Sequence, residues 1–313
     1  MKKKILILLA FFVFFNFTVS YAQNEEKKET PKPEPSFTMK KIGEKEQIRV
    51  YDMVYPSGNL KIKGKIFIPL RHLPPLPVII LNHDGVKGIS NATMERAKFI
   101  AWHGFIVLVP SYRGEGGSDG EVEVAKGEVD DVLNLIKIIP KIKEADKKRI
   151  GMVGTSHGAL ITVLAASRTK ELKCVVEAYG VMDIFQWWKY LRDHKFKTDD
   201  PLSKKVYGGG PSENPDAFKV RNAVNFASRI QCPVLIIHGE TDDIVPVLQA
   251  YELKKALEKY KKTYELYTFP QAGHGFLIYA PAGKDYTDEE KEAANSAWDK
   301  IIDFIELYLK HSG

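Results

Sequence analysis

The residues best suited to chemistry in this chain are a serine, a histidine and one of two neighbouring aspartates. Ser156 lies at the centre of GTSHG (residues 154–158), which fits the G-x-S-x-G pattern, and Asp242, Asp243 and His274 follow downstream. A serine hydroxyl is a weak nucleophile, so it needs a base that removes its proton and an acid that orients the base. Residues of these three types, in this order, predict acyl transfer through a covalent acyl-enzyme.

The context of Ser156 separates its pentapeptide from a chance match, which would be a plain turn of small residues. The strand-like run RIGMVG (149–154) precedes the serine, and the helix-like run HGALITVLAAS (157–167) follows it. A strand, a sharp turn and a helix form the setting in which a serine Oγ is exposed at the edge of a sheet. The two glycines permit the sharp turn and the close approach of helix and strand. Ser156 is therefore the predicted nucleophile.

The base and the acid are predicted on loops that follow strands. His274 lies in the glycine-flanked segment AGHGF (272–276), after a strand-like segment at 264–269. Asp242 ends the apolar run PVLIIHGETD, and Asp243 is its neighbour. Asp183 lies just past another apolar run, so it is the alternative acid. An aspartate in this role holds the histidine ring in the tautomer that accepts the serine proton.

The remaining pattern predicts an α/β protein with a mostly parallel, doubly wound sheet flanked by helices. Near-continuous apolar runs are typical of strands that are buried on both faces, and here they alternate with helix-length amphipathic segments. Two segments of alternating hydrophobicity, 48–51 and 60–69, predict an N-terminal antiparallel hairpin. The apolar runs lie at 77–85, 105–114, 149–154, 174–181 and 233–242.

Residues 182–231 interrupt this alternation with an excursion that is longer than a plain connection between two strands. Ligands of such folds bind outside the carboxyl ends of the strands, so we expect the excursion to form a short helical cap over the site. Trp187, Trp188 and Tyr190 lie near its start. They either line an acyl or aromatic pocket beneath the cap or pack the cap onto the body, and both interpretations stay open.

Four segments in combination resemble the catalytic domain of the prolyl oligopeptidase family of serine hydrolases: SYRGEGGSDG, RIGMVGTSHGAL, CPVLIIHGETDDIVP and AGHGF. The C-terminal stretch from GHGF to YTDEEKEAANSAWDKIIDFI is similar to the related dienelactone hydrolase family, which typically carries Cys where this chain has Ser156. The resemblance covers about residues 45–310. It implies an α/β-hydrolase fold and a peptidase activity, and it assigns the acid to Asp242 and the base to His274.

The oxyanion hole of this fold takes one backbone N–H from the residue after the nucleophile and one from a loop after an early strand. The first donor is His157. The loop reads NHDGV (82–86) where relatives usually have HGG, so Gly85 is the predicted second donor, with Val86 as the alternative. Asp84 departs from the family pattern. A carboxylate aimed at a developing oxyanion would oppose catalysis, so we expect Asp84 to point away or to contact the substrate.

The N-terminal segment predicts export. Residues 1–22 combine three lysines, an apolar run too short to span a bilayer and small residues before a cleavage site near Ala22, a pattern typical of a signal peptide. Residues 23–37 are charged and proline-rich, which favours a flexible linker, and 38–313 are predicted to form one hydrolase domain. We therefore expect a secreted or periplasmic protein without a stable membrane span. Export permits a disulfide between the two cysteines, although two buried thiols are equally compatible.

Composition excludes several other classes of protein. With 44% hydrophobic and 27% charged residues, the 313-residue chain is neither disordered nor fibrous. The net charge of +6 falls to +3 without the three lysines of the leader, and no basic stripe supports nucleic-acid binding. The histidines and cysteines lack the spacing typical of metal sites, and no G-x-G-x-x-G follows the first apolar run. We therefore predict no metal and no cofactor.

The expected substrate is a small-molecule ester or a short peptide. Large peptidases of the family commonly carry an N-terminal propeller, and the short stretch between linker and hairpin leaves no room for one. A carboxylesterase or acetylesterase is thus the alternative to a peptidase. A non-catalytic binding protein on a hydrolase scaffold is the distant alternative, which the complete set of Ser, Asp and His opposes. Oligomeric state has no signal in the sequence.

Overall fold

Nine strands form a single sheet in the computed structural model, which describes residues 36–277 and 287–310. The predicted signal peptide and nearly all of the predicted linker lie outside the described residues. The strands are β1 Thr38–Lys45, β2 Ile48–Ser57, β3 Leu60–Pro69, β4 Leu76–Asn82, β5 Ile106–Ser111, β6 Ala145–Thr155, β7 Leu172–Ala178, β8 Val234–Gly239 and β9 Tyr264–Phe269.

The sheet has the order β1-β2-β3-β5-β4-β6-β7-β8-β9. The pairs β1–β2, β2–β3 and β3–β5 are antiparallel, and all pairs from β5–β4 onward to β8–β9 are parallel. This confirms the predicted α/β class with its mostly parallel sheet, and the predicted hairpin is β2–β3, with Ser57 opposite Leu60. Strand β1 was not predicted, because its residues are nearly all exposed and lack apolar alternation.

Helices cover both faces of the sheet. They are α1 Asn91–Trp102, α2 Gly127–Ile138, α3 His157–Ala166, α4 Ile184–Asp193, α5 Pro201–Tyr207, α6 Pro215–Lys219, α7 Leu248–Lys259 and α8 Asp288–Leu309, with 3-10 helices at Ile139–Lys141 and Ala223–Arg229. Side chains of α2, α3 and α7 belong to one apolar cluster, and those of α1 and α8 belong to another. The described residues fall within one compact unit, Glu34–Gly313.

Strand β4 shows why the apolar runs are continuous. Val78 and Ile80 belong to the first cluster, whereas Ile79 and Leu81 belong to the second. Successive side chains of a strand point to opposite faces, so a strand covered on both sides needs apolar residues at every position. The same arrangement brings the carboxyl ends of β4, β6, β7, β8 and β9 to one edge of the sheet.

The excursion after β7 contains α4, α5, α6 and the second 3-10 helix, as expected for a short helical cap. The cap has a small apolar cluster of its own, separate from the two clusters that flank the sheet. Its members include Trp188, Tyr207 and Phe218. Cys174 and Cys232 are buried and free, so the structure contains two thiols rather than the disulfide that export would permit. Among the described helices, none is long and apolar enough to cross a membrane.

Candidate active site

Ser156 occupies a strained turn between β6 and α3. Its φ is 51° and its ψ is −117°, a backbone conformation that residues other than glycine rarely adopt. Its N–H donates to the carbonyl of Ala178 on β7 at 2.9 Å, which anchors the turn to the sheet. A Cβ at Gly158 would lie 2.1 Å from the carbonyl oxygen of Asn82, and one at Gly154 would lie 2.3 Å from that of Gly158. Both glycines therefore permit contacts that any side chain would block.

The structure brings Ser156, His274 and Asp242 together although they lie on three separate loops. The Oγ of Ser156 is 3.0 Å from Nε2 of His274, and Nδ1 of His274 is 2.7 Å from Oδ2 of Asp242. An ionised carboxylate only accepts hydrogen bonds, so Nδ1 carries a proton and donates it to Asp242. In the neutral ring, Nε2 then accepts from the serine hydroxyl. This is the arrangement that a general base for a serine nucleophile requires.

The carboxylate of Asp242 is fully buried and held by several donors. Its Oδ1 accepts from the backbone N–H groups of Ile244 and Val245 at 3.0 and 2.8 Å. Burial raises the pKa of this carboxyl, but the side chains of His238 and His274 and the backbone N–H of Val245 outweigh it and lower the pKa to about 2. Asp242 is thus ionised at neutral pH.

The alternative acids are placed elsewhere. Asp243 is exposed, and it is the carbonyl of its backbone that is engaged, by the hydroxyl of Tyr190 at 2.8 Å. The carboxylate of Asp183 caps α4, where it accepts from the N–H groups of Phe185 and Gln186. Neither carboxylate contacts His274.

The two predicted oxyanion donors lie on segments that contact each other. His157 is the first residue of α3, so its N–H has no acceptor in a preceding helical turn. Gly85 follows β4 with a φ of 67°, and its carbonyl accepts from Nδ1 of His157 at 2.9 Å. Val86, the alternative donor, lines the cavity beside Ser156.

Asp84 is paired with a buried arginine. Its Oδ1 accepts from Nη2 of Arg96 at 2.6 Å, and Arg96 also donates to Oγ1 of Thr155 at 3.0 Å. Burial raises the pKa of Asp84, but the charge of Arg96 and its hydrogen bond outweigh this and lower it. Arg96 was not predicted from the sequence. The sequence feature that could have identified it is a charged residue on the face of α1 that also carries Thr93 and Ile100, which is the buried face.

A cavity of about 440 Å³ opens beside Ser156 beneath the cap. Its walls are mostly apolar and come from the body and from the cap, with four polar residues of the cap among the lining. The apolar lining includes Leu160 and Val181 of the body and Ile184, Trp188 and Leu202 of the cap; the polar lining includes Lys197, Thr198, Asp200 and Ser203.

The three predicted aromatic residues divide between the two interpretations. Trp187 and Trp188 line the cavity, and Tyr190 is not part of its lining. Trp188 also packs inside the cap, with its ring 5.0 Å from that of Phe218. The indole N–H of Trp187 donates to the carbonyl of Ile244 at 3.0 Å, and Tyr190 donates to Asp243. These two bonds tie α4 to the loop that carries Asp242.

The described residues contain no cluster of three or more histidine, cysteine, aspartate or glutamate side chains that could hold a metal ion.

The chain is similar to known proteins both in sequence and in fold. The model of the prolyl oligopeptidase family matches residues 91–294. An uncharacterized peptidase of Bacillus subtilis, YtmA, is 27% identical over 232 residues, which cover 74% of this chain and 88% of that protein.

The fold is shared with solved structures of other proteins. The acylaminoacyl peptidase of Pyrococcus horikoshii superimposes with a TM-score of 0.68 at 20% identity, over 90% of this chain and 42% of its own. A Klebsiella pneumoniae protein assigned as a dienelactone hydrolase gives a TM-score of 0.63 at 19% identity, over 83% of this chain and 99% of its own. The chain thus spans less than half of the acylaminoacyl peptidase and nearly all of the second protein.

Proposed function

This chain belongs to the prolyl oligopeptidase family of serine hydrolases, and from that premise we propose that it is an exported enzyme that cleaves an acyl bond through Ser156, His274 and Asp242. One observation carries the proposed catalysis: the serine Oγ lies 3.0 Å from Nε2 of a histidine whose Nδ1 lies 2.7 Å from a buried, ionised aspartate.

In the proposed reaction, His274 removes the proton of the Ser156 hydroxyl as the oxygen attacks the carbonyl carbon of the substrate. The backbone N–H groups of His157 and Gly85 stabilise the tetrahedral oxyanion. His274 then donates the proton to the leaving amine or alcohol as the acyl-enzyme forms. Water, activated by the same histidine, releases the acid and restores the serine. Asp242 stays ionised and stabilises the imidazolium that forms in each step.

The proposed substrate carries an apolar group on the acyl side and is a short peptide or a small ester. The cavity beneath the cap supports this, because its walls beside Ser156 are aliphatic and aromatic. The family favours a peptide bond. The second candidate is a carboxylesterase, and the cavity favours it, since its aliphatic and aromatic walls beside Ser156 would pack against an alkyl or aryl acyl chain.

The proposal is tested by labelling with a fluorophosphonate, which reacts with an activated serine. We expect stoichiometric labelling of the folded wild-type protein, none of Ser156→Ala, and full labelling of Ser212→Ala, which removes an exposed serine of the cap. A folded wild-type protein that remains unlabelled would contradict the proposal and would favour a binding protein on a hydrolase scaffold.

The peptidase and the esterase are separated by rates on p-nitrophenyl esters and on aminoacyl-p-nitroanilides that carry the same acyl group. Each rate is divided by the rate of the uncatalysed reaction. A larger acceleration of anilide cleavage supports the peptidase, and a larger acceleration of ester cleavage supports the carboxylesterase.

Export rests on residues 1–22 alone and needs its own experiment. We expect the full chain, expressed in a Gram-negative host, to be recovered from the periplasm with a mature N-terminus at Gln23. A matched chain without residues 2–22 is expected to stay in the cytoplasm. Recovery of the full chain in the cytoplasm, with its leader attached, would contradict export.

A further inference from the structure

Glu115 lies on the loop after β5, and its buried carboxyl group contacts the segment that carries Gly85. The residue is only 3% exposed. Its Oε2 accepts from the backbone N–H of Gly88 at 2.6 Å. Its Oε1 is buried and finds no hydrogen-bond partner in the described part of the chain. The carboxyl group is thus fixed at the end of the segment 83–88, and its Oε1 is able to form a further hydrogen bond.

His83 occupies the other end of this segment. Its ring is buried, stacks on Tyr112 with centroids 4.4 Å apart, and places Nδ1 at 3.0 Å from the carbonyl oxygen of Asp84. A carbonyl oxygen accepts, so Nδ1 carries the proton. Burial lowers the pKa of His83 to about 4, so the ring is neutral near pH 7. Nε2 is then a lone-pair acceptor.

This acceptor faces the carboxyl group of Glu115. Nε2 of His83 is 3.5 Å from Oε2 of Glu115, and it has no hydrogen-bond partner among the described residues. An ionised carboxylate would set a negative charge against this lone pair, because neither group could donate. A proton on Oε2 would instead point to Nε2, while a lone pair of the same hydroxyl oxygen still accepts from Gly88. The geometry therefore favours the neutral acid.

The electrostatic surroundings act in the same direction. Burial raises the pKa of Glu115 to about 7; the N–H of Gly88 opposes this, and the charges of Glu128 and Asp131 on α2 add to it. On the other side of the pair, Asp84, Arg96 and His157 act on His83, and Glu115 acts on the neighbouring Tyr112.

We propose that Glu115, as a neutral carboxylic acid that donates to Nε2 of His83, is a positioning residue that holds the segment 83–88 in the shape in which Gly85 serves as an oxyanion donor. The inference rests on the proposed function, since it assigns Glu115 a role through Gly85. Ionisation of Glu115 removes the donor at one end of the segment. The oxyanion donor then loses its fixed position, and kcat falls while KM changes little.

Glu115→Gln tests this role, because a glutamine of the same shape does not titrate. With its oxygen in the place of Oε2 it still accepts from Gly88, but that atom cannot also donate to Nε2 of His83. We expect kcat of the wild type for a p-nitrophenyl ester to fall by about tenfold as the pH rises from about 6.5 to about 9. Glu115→Gln is expected to show a kcat that is constant over the same range and close to the alkaline value of the wild type. Glu121→Gln, an exposed change further along the loop, is expected to keep the wild-type profile.

A second measurement follows the proton without using activity. The folded-state pKa of Glu115 is raised above the ordinary value of 4.5, so its contribution to stability is complete below about pH 4.5 and is lost as the pH rises through about 7. The Tm of the wild type should therefore fall relative to that of Glu115→Gln between these values. Parallel Tm curves, or an alkaline limb of kcat that Glu115→Gln shares with the wild type, would overturn the inference.

Failure of the two proposals can be told apart. A wild-type protein that neither hydrolyses esters nor reacts with a fluorophosphonate would overturn the proposed function and, with it, the role of the segment 83–88. A labelled and active wild type whose pH profile is unchanged in Glu115→Gln would overturn only the role of Glu115.

Discussion

The imidazole of His157 donates its Nδ1–H to the carbonyl oxygen of Gly85 across 2.9 Å. This bond joins the first residue of α3 to the loop after β4, the two segments whose backbone N–H groups are the proposed oxyanion donors. Since the acceptor is a carbonyl, Nδ1 carries the proton. Burial lowers the pKa of His157, which favours the neutral ring. The side chain of one proposed donor residue thus fixes the backbone of the other.

Removal of this bond should reduce kcat more than it changes KM. In His157→Ala the loop loses one hydrogen bond, and we expect kcat to fall by about tenfold. Asparagine places an NH₂ group near the position of Nδ1, so His157→Asn should retain most of the wild-type kcat. Steady-state kinetics on a p-nitrophenyl ester measure both. Equal losses in the two variants would show that the hydrogen bond to Gly85 is not what matters.

Asp242→Asn should nearly abolish turnover although the protein folds. An amide can turn its NH₂ toward Nδ1 of His274, which moves the ring proton to Nε2, where it opposes proton transfer from Ser156. A substitution of this kind lowers kcat by about 10⁴ in a serine protease. The matched control is Asp243→Asn, an exposed neighbour that should stay within about twofold of the wild type. A large loss in the control and a small loss at 242 would exchange the roles of the two aspartates.

The cavity beneath the cap should set the preference for acyl length. A buried methylene contributes about 0.8 kcal/mol, or about fourfold in kcat/KM, so the wild type should prefer butyryl and hexanoyl over acetyl esters. Leu202→Trp fills the cavity from α5 and should shift the preference toward acetyl. Lys204→Trp puts the same side chain on the exposed face of α5 and should leave the preference unchanged. If acetyl is already the best substrate of the wild type, the acyl group does not enter this cavity.

Local sequence predicted the parts of the site that depend on local structure. The turn at Ser156 needs a strand, two glycines and a helix in succession, and all of them lie within 149–167. Asp242 and His274 both follow predicted strands, whose carboxyl ends meet at one edge of a parallel sheet, and the family resemblance selected Asp242 over Asp243. The short loop pattern NHDGV indicated Gly85 and Asp84 as residues of interest, but it did not indicate Arg96, the partner of Asp84.

Contacts between distant segments were not predictable. The pairing of Arg96 with Asp84 depends on how α1 packs against the loop after β4, and the hydrogen bond from Gly88 to Glu115 joins two loops that only the sheet order brings together. Charged residues at these positions look like surface residues until the packing is known. The exposed strand β1 was missed for a similar reason, since its pairing with β2 rather than any burial pattern defines it.

Gly158→Ala should destabilise the fold at the turn that carries Ser156. The added Cβ would lie 2.1 Å from the carbonyl oxygen of Asn82 and 2.6 Å from that of His83, and neither backbone atom can move without shifting β4. Overpacking of this kind costs about 1–3 kcal/mol, which corresponds to a loss of several degrees in Tm. Gly43→Ala, where nothing lies within 4 Å of the new Cβ, should leave Tm unchanged. Thermal unfolding of both variants measures the difference, and equal Tm values would contradict the close approach of α3 and β4.

A second buried acid should make the stability of the fold depend on pH. Glu177 lies on β7 opposite Gly154, and its Oε2 accepts from the N–H of Gly180 at 3.1 Å. Burial raises its pKa to about 8, against an opposing effect of that hydrogen bond. Because this folded-state pKa lies above the ordinary value of 4.5, the unfolded chain releases its proton first as the pH rises. The contribution to stability is then complete below about pH 4.5 and is lost as the pH rises through about 8.

Glu177→Gln removes this titration and should therefore unfold at a higher Tm than the wild type near pH 9, while the two proteins differ less near pH 5. The neutral amide keeps an oxygen that accepts from Gly180, so the packing beside Gly154 is retained. Glu171→Gln, an exposed change just before β7, should follow the wild-type curve throughout. Thermal unfolding followed by circular dichroism across this pH range measures the three proteins. Parallel curves for the wild type and Glu177→Gln would mean that the carboxyl group of Glu177 is already ionised in the folded state at pH 5.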